Sequence, residues 1–260
     1  MSGREAAILF GAGLPLLLAV VLTAERKGAF RGDAFATPSR KWTALGLLVL
    51  LFAATTLLPA ASAMGDVDTS RLRFPQLFAS QGLLAAFLAA WWLLSGRPPL
   101  LDFLGLRSRQ PLAEIGAGLC LGPIGWAVTF VLAIVVALAA AALGIPGPKG
   151  IPPLVEWIAR LSVGQRALVV LAAMTFEEFY FRGFLQRRLG ALPASALFLL
   201  AHAGYGEPFF FVGLLGITAI LAAAYHRTGS TLAPIAAHGA FNAIQLFLIL
   251  PAALRVLGGP

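Results

Sequence analysis

Apolar runs of 14 to 30 residues alternate along the chain with short polar connections rich in glycine, proline and basic residues. Runs of this length, without period-two alternation, predict helices rather than strands. Eight are predicted, at approximately 6–24, 42–61, 76–95, 114–143, 165–186, 192–205, 208–226 and 231–250. Most reach the roughly 20 residues that a membrane-spanning helix needs. The first is read as an anchor rather than a cleaved signal, because its apolar stretch is long, Glu5 offsets Arg4 and no small-residue cleavage site follows. The fourth carries Gly116, Gly118, Gly122, Pro123 and Gly125, which predicts a kink or close helix packing. The sixth is short and bounded by Pro193, Gly204 and Gly206, as expected of a partial helix buried among the others. Between the fourth and fifth, a Pro/Gly loop leads into a short amphipathic stretch, with Leu154, Val155, Trp157, Ile158 and Leu161 against Glu156 and Arg160. That pattern suits a helix lying at the membrane interface.

Composition turns the helical reading into a membrane one. The 260 residues are 59% hydrophobic and 12% charged, with a mean hydropathy of +0.88, against roughly 45–50% apolar and about 25% charged for soluble domains. The expected fold is an all-α polytopic bundle with no sizeable domain outside the bilayer. A net charge of +8 does not point to nucleic acid, because the basic residues cluster in the connections, where topology accounts for them. Alternate connections collect 12 of the 19 basic residues: Arg26, Lys27, Arg31, Arg40, Lys41, Arg97, Arg107, Arg109, Arg182, Arg187, Arg188 and Arg227. This side is expected to be cytoplasmic, with both termini outside, in the cytoplasmic (inner) membrane. Trp42, Trp91, Trp92 and Trp157 fall near predicted span ends, where interfacial aromatic belts are expected, and Trp126 lies deeper as packing. The single Cys120 excludes an intramolecular disulfide.

Ionisable side chains within a span cost about 2.5–3.5 kcal/mol each, so each needs a reason. Glu177, Glu178 and Arg182 fall in the fifth segment, His202 in the sixth, and His238, with Asn242 as a polar companion, in the eighth. At 100° per residue Glu178 and Arg182 share one face, with Glu177 turned away from it, and His238 and Asn242 are also i and i+4. Taken singly, each has a bland reading: a structural ion pair, a packed histidine, an amide gluing two helices. Taken together, such groups on three helices exceed what fixing helix register requires. Carboxylates, imidazoles and an amide in a dry cavity suit amide hydrolysis by activated water, with side-chain donors stabilising the oxyanion. No H-E-x-x-H or G-x-S-x-G motif occurs, and Asp33, Asp66, Asp68 and Asp102 all lie in connections, which argues against aspartyl chemistry.

The ordered motifs "EEFYFR" (Glu177, Glu178, Arg182), "FLLAH" (Phe198, His202) and "HGAFN" (His238, Asn242) resemble EExxxR, FxxxH and HxxxN of the CPBP family, the membrane proteases related to CAAX prenyl endopeptidases and bacterial Abi proteins. The resemblance covers roughly residues 165–250. It divides the chain into N-terminal helices at 1–110, which contribute nothing to it, and a catalytic core at 111–260. It implies that Glu177 activates water shared with His202, that Glu178 is held by Arg182, and that His238 and Asn242 form an oxyanion hole, with Phe198 packing one turn before His202. It also implies a glutamate-dependent enzyme without a cofactor. Two glutamates and two histidines suit zinc as well, with Glu177, His202 and His238 as the ligands in that alternative. The implied partner is a membrane-anchored or transmembrane-tailed protein. One bacterial branch, the myxosortase-like sorting proteases, processes C-terminal tails of exported proteins, and the Ala-, Leu- and Arg-rich usage is compatible with it. The residues leave a second class open: a proton-coupled transporter or an immunity or binding protein using the same polar cluster. Against transport, the first four segments supply almost no pathway residues, and Glu114 sits at an edge. Glu207 and His226 are expected in solvated or interfacial positions, and "YHRTGST" is expected to end the seventh helix, turn at Gly229 and cap the eighth with Ser or Thr.

Overall fold

The computed structural model describes residues 3–63, 69–147, 150–205 and 208–257. Among these there is no strand, and eight principal helices follow the predicted order. They are α1 (Gly3–Arg26), α2 (38–63), α3 (Phe74–Leu94), α4 (Pro111–Ala142), α5 (163–189), α6 (Ala191–Ala201), α7 (Pro208–Thr228) and α8 (232–257). Six of them, all but α5 and α6, are long and apolar enough to cross a bilayer by length and composition. Helix α5 carries too many charges and α6 has only 11 residues. The expected count of eight is therefore a count of helices, of which six meet the criterion for spans. A short helix, Pro153–Ala159, lies in the connection where the amphipathic stretch predicts one.

Solvation is inverted, as a bilayer requires. Leu119, Ile124, Val128, Phe130, Val131, Ile134, Val135 and Leu138 along α4 are all exposed, whereas Glu178 and Arg182 are fully buried. The glycines of α4 serve packing. A Cβ on Gly118 would lie 2.7 Å from Ala236 Cβ, and one on Gly122 would lie 2.5 Å from Ala240 Cβ and 2.9 Å from Ala237 O. Helices α4 and α8 therefore touch backbone to backbone, the approach that small residues allow between helices in lipid.

The basic connections meet at one end. Asp33, between α1 and α2, is gripped by Arg188 at the end of α5 through Nε at 2.9 Å and Nη2 at 2.5 Å. The α3–α4 connection meets the α7–α8 turn, where Thr231 donates from its backbone N to Gly105 O at 2.7 Å and from Oγ1 to Leu104 O at 3.1 Å. Gly229 makes that turn with φ +67 as predicted, while Thr231 at the N-cap makes no side-chain cap hydrogen bond and the hydroxyl that meets the helix start is that of Ser230, whose Oγ accepts from Leu232 N at 3.1 Å. A polar cavity of about 460 Å³ lies here, lined by Asp102, Arg107, Arg109, Glu114, Arg187 and Tyr225.

One aromatic cluster ties the N-terminal helices to α5. Trp91 of α3 sits 4.8 Å from Phe184 and 5.7 Å from Phe87, ring centre to ring centre, and its Nε1 donates to Asp33 Oδ1 at 3.0 Å. This corrects the belt reading of Trp91: it is fully buried, because its indole N–H has an internal carboxylate partner and needs no interfacial water. Trp42 is exposed, in keeping with a belt position. Trp126 packs against Phe130 and donates from Nε1 to Gln245 Oε1 at 2.9 Å.

Candidate active site

Helix α5 begins with a reciprocal cap: Ser162 Oγ accepts from Gln165 N at 3.3 Å, and Gln165 Oε1 accepts from Ser162 N at 3.0 Å. Its middle departs from α-helical winding. Ala173–Glu177 and Phe179–Gln186 are π-helical, a rare form concentrated at functional sites, which the α-periodic reading did not foresee. Glu178 and Arg182 nonetheless pair as that reading expected.

Glu178 is the hub of the buried charge. Its Oε2 accepts from Arg182 Nε at 3.2 Å, and its Oε1 accepts from His238 Nδ1 at 2.8 Å. Both partners are buried. The Arg182 guanidinium lies 5.2 Å from the centre of the Phe198 ring, and that ring also contacts His202 and His238, at 4.5 and 6.2 Å between ring centres. Phe198 is thus the apolar wall on which the cationic and imidazole groups rest.

Glu177 lies beside this hub and has different surroundings. Its Oε1 accepts from Gln81 Nε2 of α3 at 3.2 Å, and its Oε2 is buried without a hydrogen-bond partner among the described residues. His202, at the end of α6, has Nδ1 2.8 Å from Phe198 O. A carbonyl oxygen only accepts, so Nδ1 donates to it, and in the neutral imidazole Nε2 is then the acceptor. That Nε2 faces Glu177 Oε2 at 3.8 Å, too far for a direct hydrogen bond and close enough for one bridging water.

Five of the six predicted site residues, Glu177, Glu178, Arg182, His202 and His238, are therefore joined through direct contacts and the Phe198 ring. Asn242 stands one turn beyond His238 on α8, half-buried and without a hydrogen bond among the described residues. No three His, Cys, Asp or Glu side chains among the described residues gather as a metal-binding set. Nδ1 of His202 is bonded to the Phe198 carbonyl and Nδ1 of His238 to the Glu178 carboxylate, which leaves Nε2 of each ring as the nitrogen free to meet a water, a substrate or a metal. His226 is exposed in the last turn of α7, in the stretch that leads to the polar cavity at the basic end. Glu207, Asp66 and Asp68 lie outside the described residues. Gln81 is the site residue that sequence reasoning missed. Its signal was an amide in an otherwise apolar run, weaker than a charge and separated from Glu177 by 96 positions.

Residues 159–244 match the family model Rce1-like, Type II CAAX prenyl endopeptidase Rce1-like. The matched span is about a third of the chain and holds all three motifs; α1 to α4 lie outside it. No curated protein and no solved structure matches the chain. The buried glutamate, histidine and arginine cluster thus lies in the segment that is similar to type II CAAX prenyl endopeptidases of the Rce1-like kind, within a multi-pass membrane protein.

Proposed function

We propose that the protein is a glutamate-dependent intramembrane endopeptidase. The observation that carries this reading is the facing pair of acceptors, Glu177 Oε2 and His202 Nε2, 3.8 Å apart. A water donating one O–H to each bridges them, with its oxygen lone pair left to attack. Glu177 takes the proton as the water oxygen adds to the scissile carbonyl, and then returns it to the leaving amine as the C–N bond breaks. His238 and Asn242 supply donors to the oxyanion. Because His238 Nδ1–H is spent on Glu178, a donor at Nε2 requires the imidazolium. Glu178, buried against it and against Arg182, supplies the negative charge that such a cation needs. The two adjacent glutamates thus divide the work: one reacts and the other fixes charge. Water activation of this kind proceeds without a metal.

The substrate class is a membrane-associated protein, reaching the site from the bilayer or its surface. A C-terminal sorting tail of an exported protein is the first candidate, as the resemblance to the sorting branch implies. We read the protein as lying in the cytoplasmic membrane with the Arg188 end inside, a reading that the basic residues of the connections support.

The test is cleavage in liposomes by purified protein of two fluorescent substrates, one with a motif, spanning helix and basic end, the other a prenylated CAAX peptide. The tail is cut, Glu177→Gln lowers the rate about 10²–10⁴-fold, and chelators leave it unchanged. Equal rates for wild type and Glu177→Gln overturn the mechanism; loss of activity with a chelator, restored by zinc, overturns its metal-free form. Cleavage of the prenylated peptide alone moves the substrate to the other class.

A further inference from the structure

Gln81 belongs to α3, outside the segment that matches the family, yet its amide is the only side chain hydrogen-bonded to Glu177 among the described residues. Its orientation is set locally. Ser80 Oγ donates to Gln81 Oε1 at 2.9 Å, so the amide oxygen is occupied and the NH₂ is the end turned toward Glu177 Oε1. The backbone behind it is anchored as well, since Phe87 and Trp91, further along α3, pack against Tyr180 and Phe184 of α5. With Oε1 engaged, the Glu177 carboxylate cannot turn freely, and Oε2 is left as the oxygen facing His202. The titratable and charged neighbours of Glu177 are Glu178 and Arg182 on α5, His202 and Tyr205 at the end of α6, and His238 on α8; Gln81 is the neutral donor on α3.

We infer that Gln81, oriented by Ser80, is a positioning residue that holds the Glu177 carboxylate so that one oxygen is presented with His202 to the attacking water. The inference rests on the proposed protease reading. It makes the N-terminal helices part of the catalytic apparatus, because a donor from α3 sets the aim of a base on α5. A hydrogen bond from an uncharged amide favours the ionised carboxylate, and a carboxylate in its place opposes that ionisation.

The experiment compares wild type, Gln81→Leu, Gln81→Glu and Ser80→Ala in the liposome cleavage assay across pH. In Gln81→Leu the acid limb of kcat/KM moves to higher pH by about one unit, and kcat on the plateau falls about tenfold with KM within about twofold. Gln81→Glu keeps the shape of the side chain and moves the limb further, because two carboxylates then share the site. Ser80→Ala, at an exposed position that leaves packing intact, moves it in the same direction by less, and decides the matter should the Gln81 variants fail to fold. An acid limb at the same pH in all variants overturns the role of Gln81, while Glu177→Gln, assayed alongside, reports separately on the protease reading.

Discussion

Removing the guanidinium of Arg182 while leaving Glu178 in place tests how the buried charge is held. Glu178 is fully buried with two donors, Arg182 Nε at 3.2 Å and His238 Nδ1 at 2.8 Å. Breaking one side of a buried ion pair typically costs 3–5 kcal/mol. His238 remains on Oε1, so Arg182→Met is expected at the low end, about 3 kcal/mol. Glu178→Gln leaves the guanidinium unpaired and costs about as much. The double variant behaves differently. Arg182 Nη1 and Nη2 have no acceptor among the described residues, so the native pair is incompletely satisfied, and replacing both charges removes these orphaned donor groups along with the attraction. Its cost is expected to be about 1 kcal/mol, far below the roughly 6 kcal/mol sum of the single changes. Denaturant titration in mixed micelles, read by tryptophan fluorescence, measures all three. A loss under about 1 kcal/mol for Arg182→Met, or a double variant equal to the sum, refutes the view that Glu178 is a dry carboxylate dependent on its partners.

Two other perturbations bear on the site. His238→Gln and Asn242→Ala are each expected to lower kcat about 10²–10³-fold. Only His238→Gln lowers the melting temperature as well, because Glu178 loses a donor whereas Asn242 holds no hydrogen bond among the described residues; rates within threefold of wild type remove them from the oxyanion site. Gly122→Val pushes a side chain into Ala240 Cβ and Ala237 O of α8 and is expected to cost at least about 1–3 kcal/mol, with activity falling because α8 carries His238. Gly116→Val, where an added carbon meets nothing within 4 Å, is the control, and equal melting temperatures for the two refute the close α4–α8 contact.

The features legible in the sequence were those with local signals. Helix positions followed from the length of the apolar runs, and the small residues of α4 signalled a kink or close packing, which Gly118 and Gly122 deliver against α8, a partner that only the fold reveals, while Gly116 meets nothing within 4 Å. The buried cluster was legible because charge in a span is costly, so Glu178, Arg182 and His238 each needed a partner and found one another. The π-helical winding of α5 was not legible, since the length and α-helical spacing of apolar and polar positions carry no signal for it. Trp91 misled for a related reason. A tryptophan at a helix end suits the interface equally well, and only the fold brings Asp33 to its indole.

The missed residues share a further property: they join the N-terminal helices to the matched segment. Asp33 grips Arg188, Trp91 packs edge-to-face against Phe184, and Gln81 reaches Glu177. Each contact links a position before residue 110 to α5, so none falls within the span that carries the motifs. Lipid offers little hydrophobic drive to bring helices together, so α3 and α5 depend on such aromatic and polar contacts for a fixed spacing. The Glu177–His202 separation depends on that spacing, because α6 holds His202 through its own backbone while Glu177 takes its aim from Gln81 on α3. The motifs on α5, α6 and α8 supply the reacting groups, and α1 to α3 supply the frame that keeps them at a water's width.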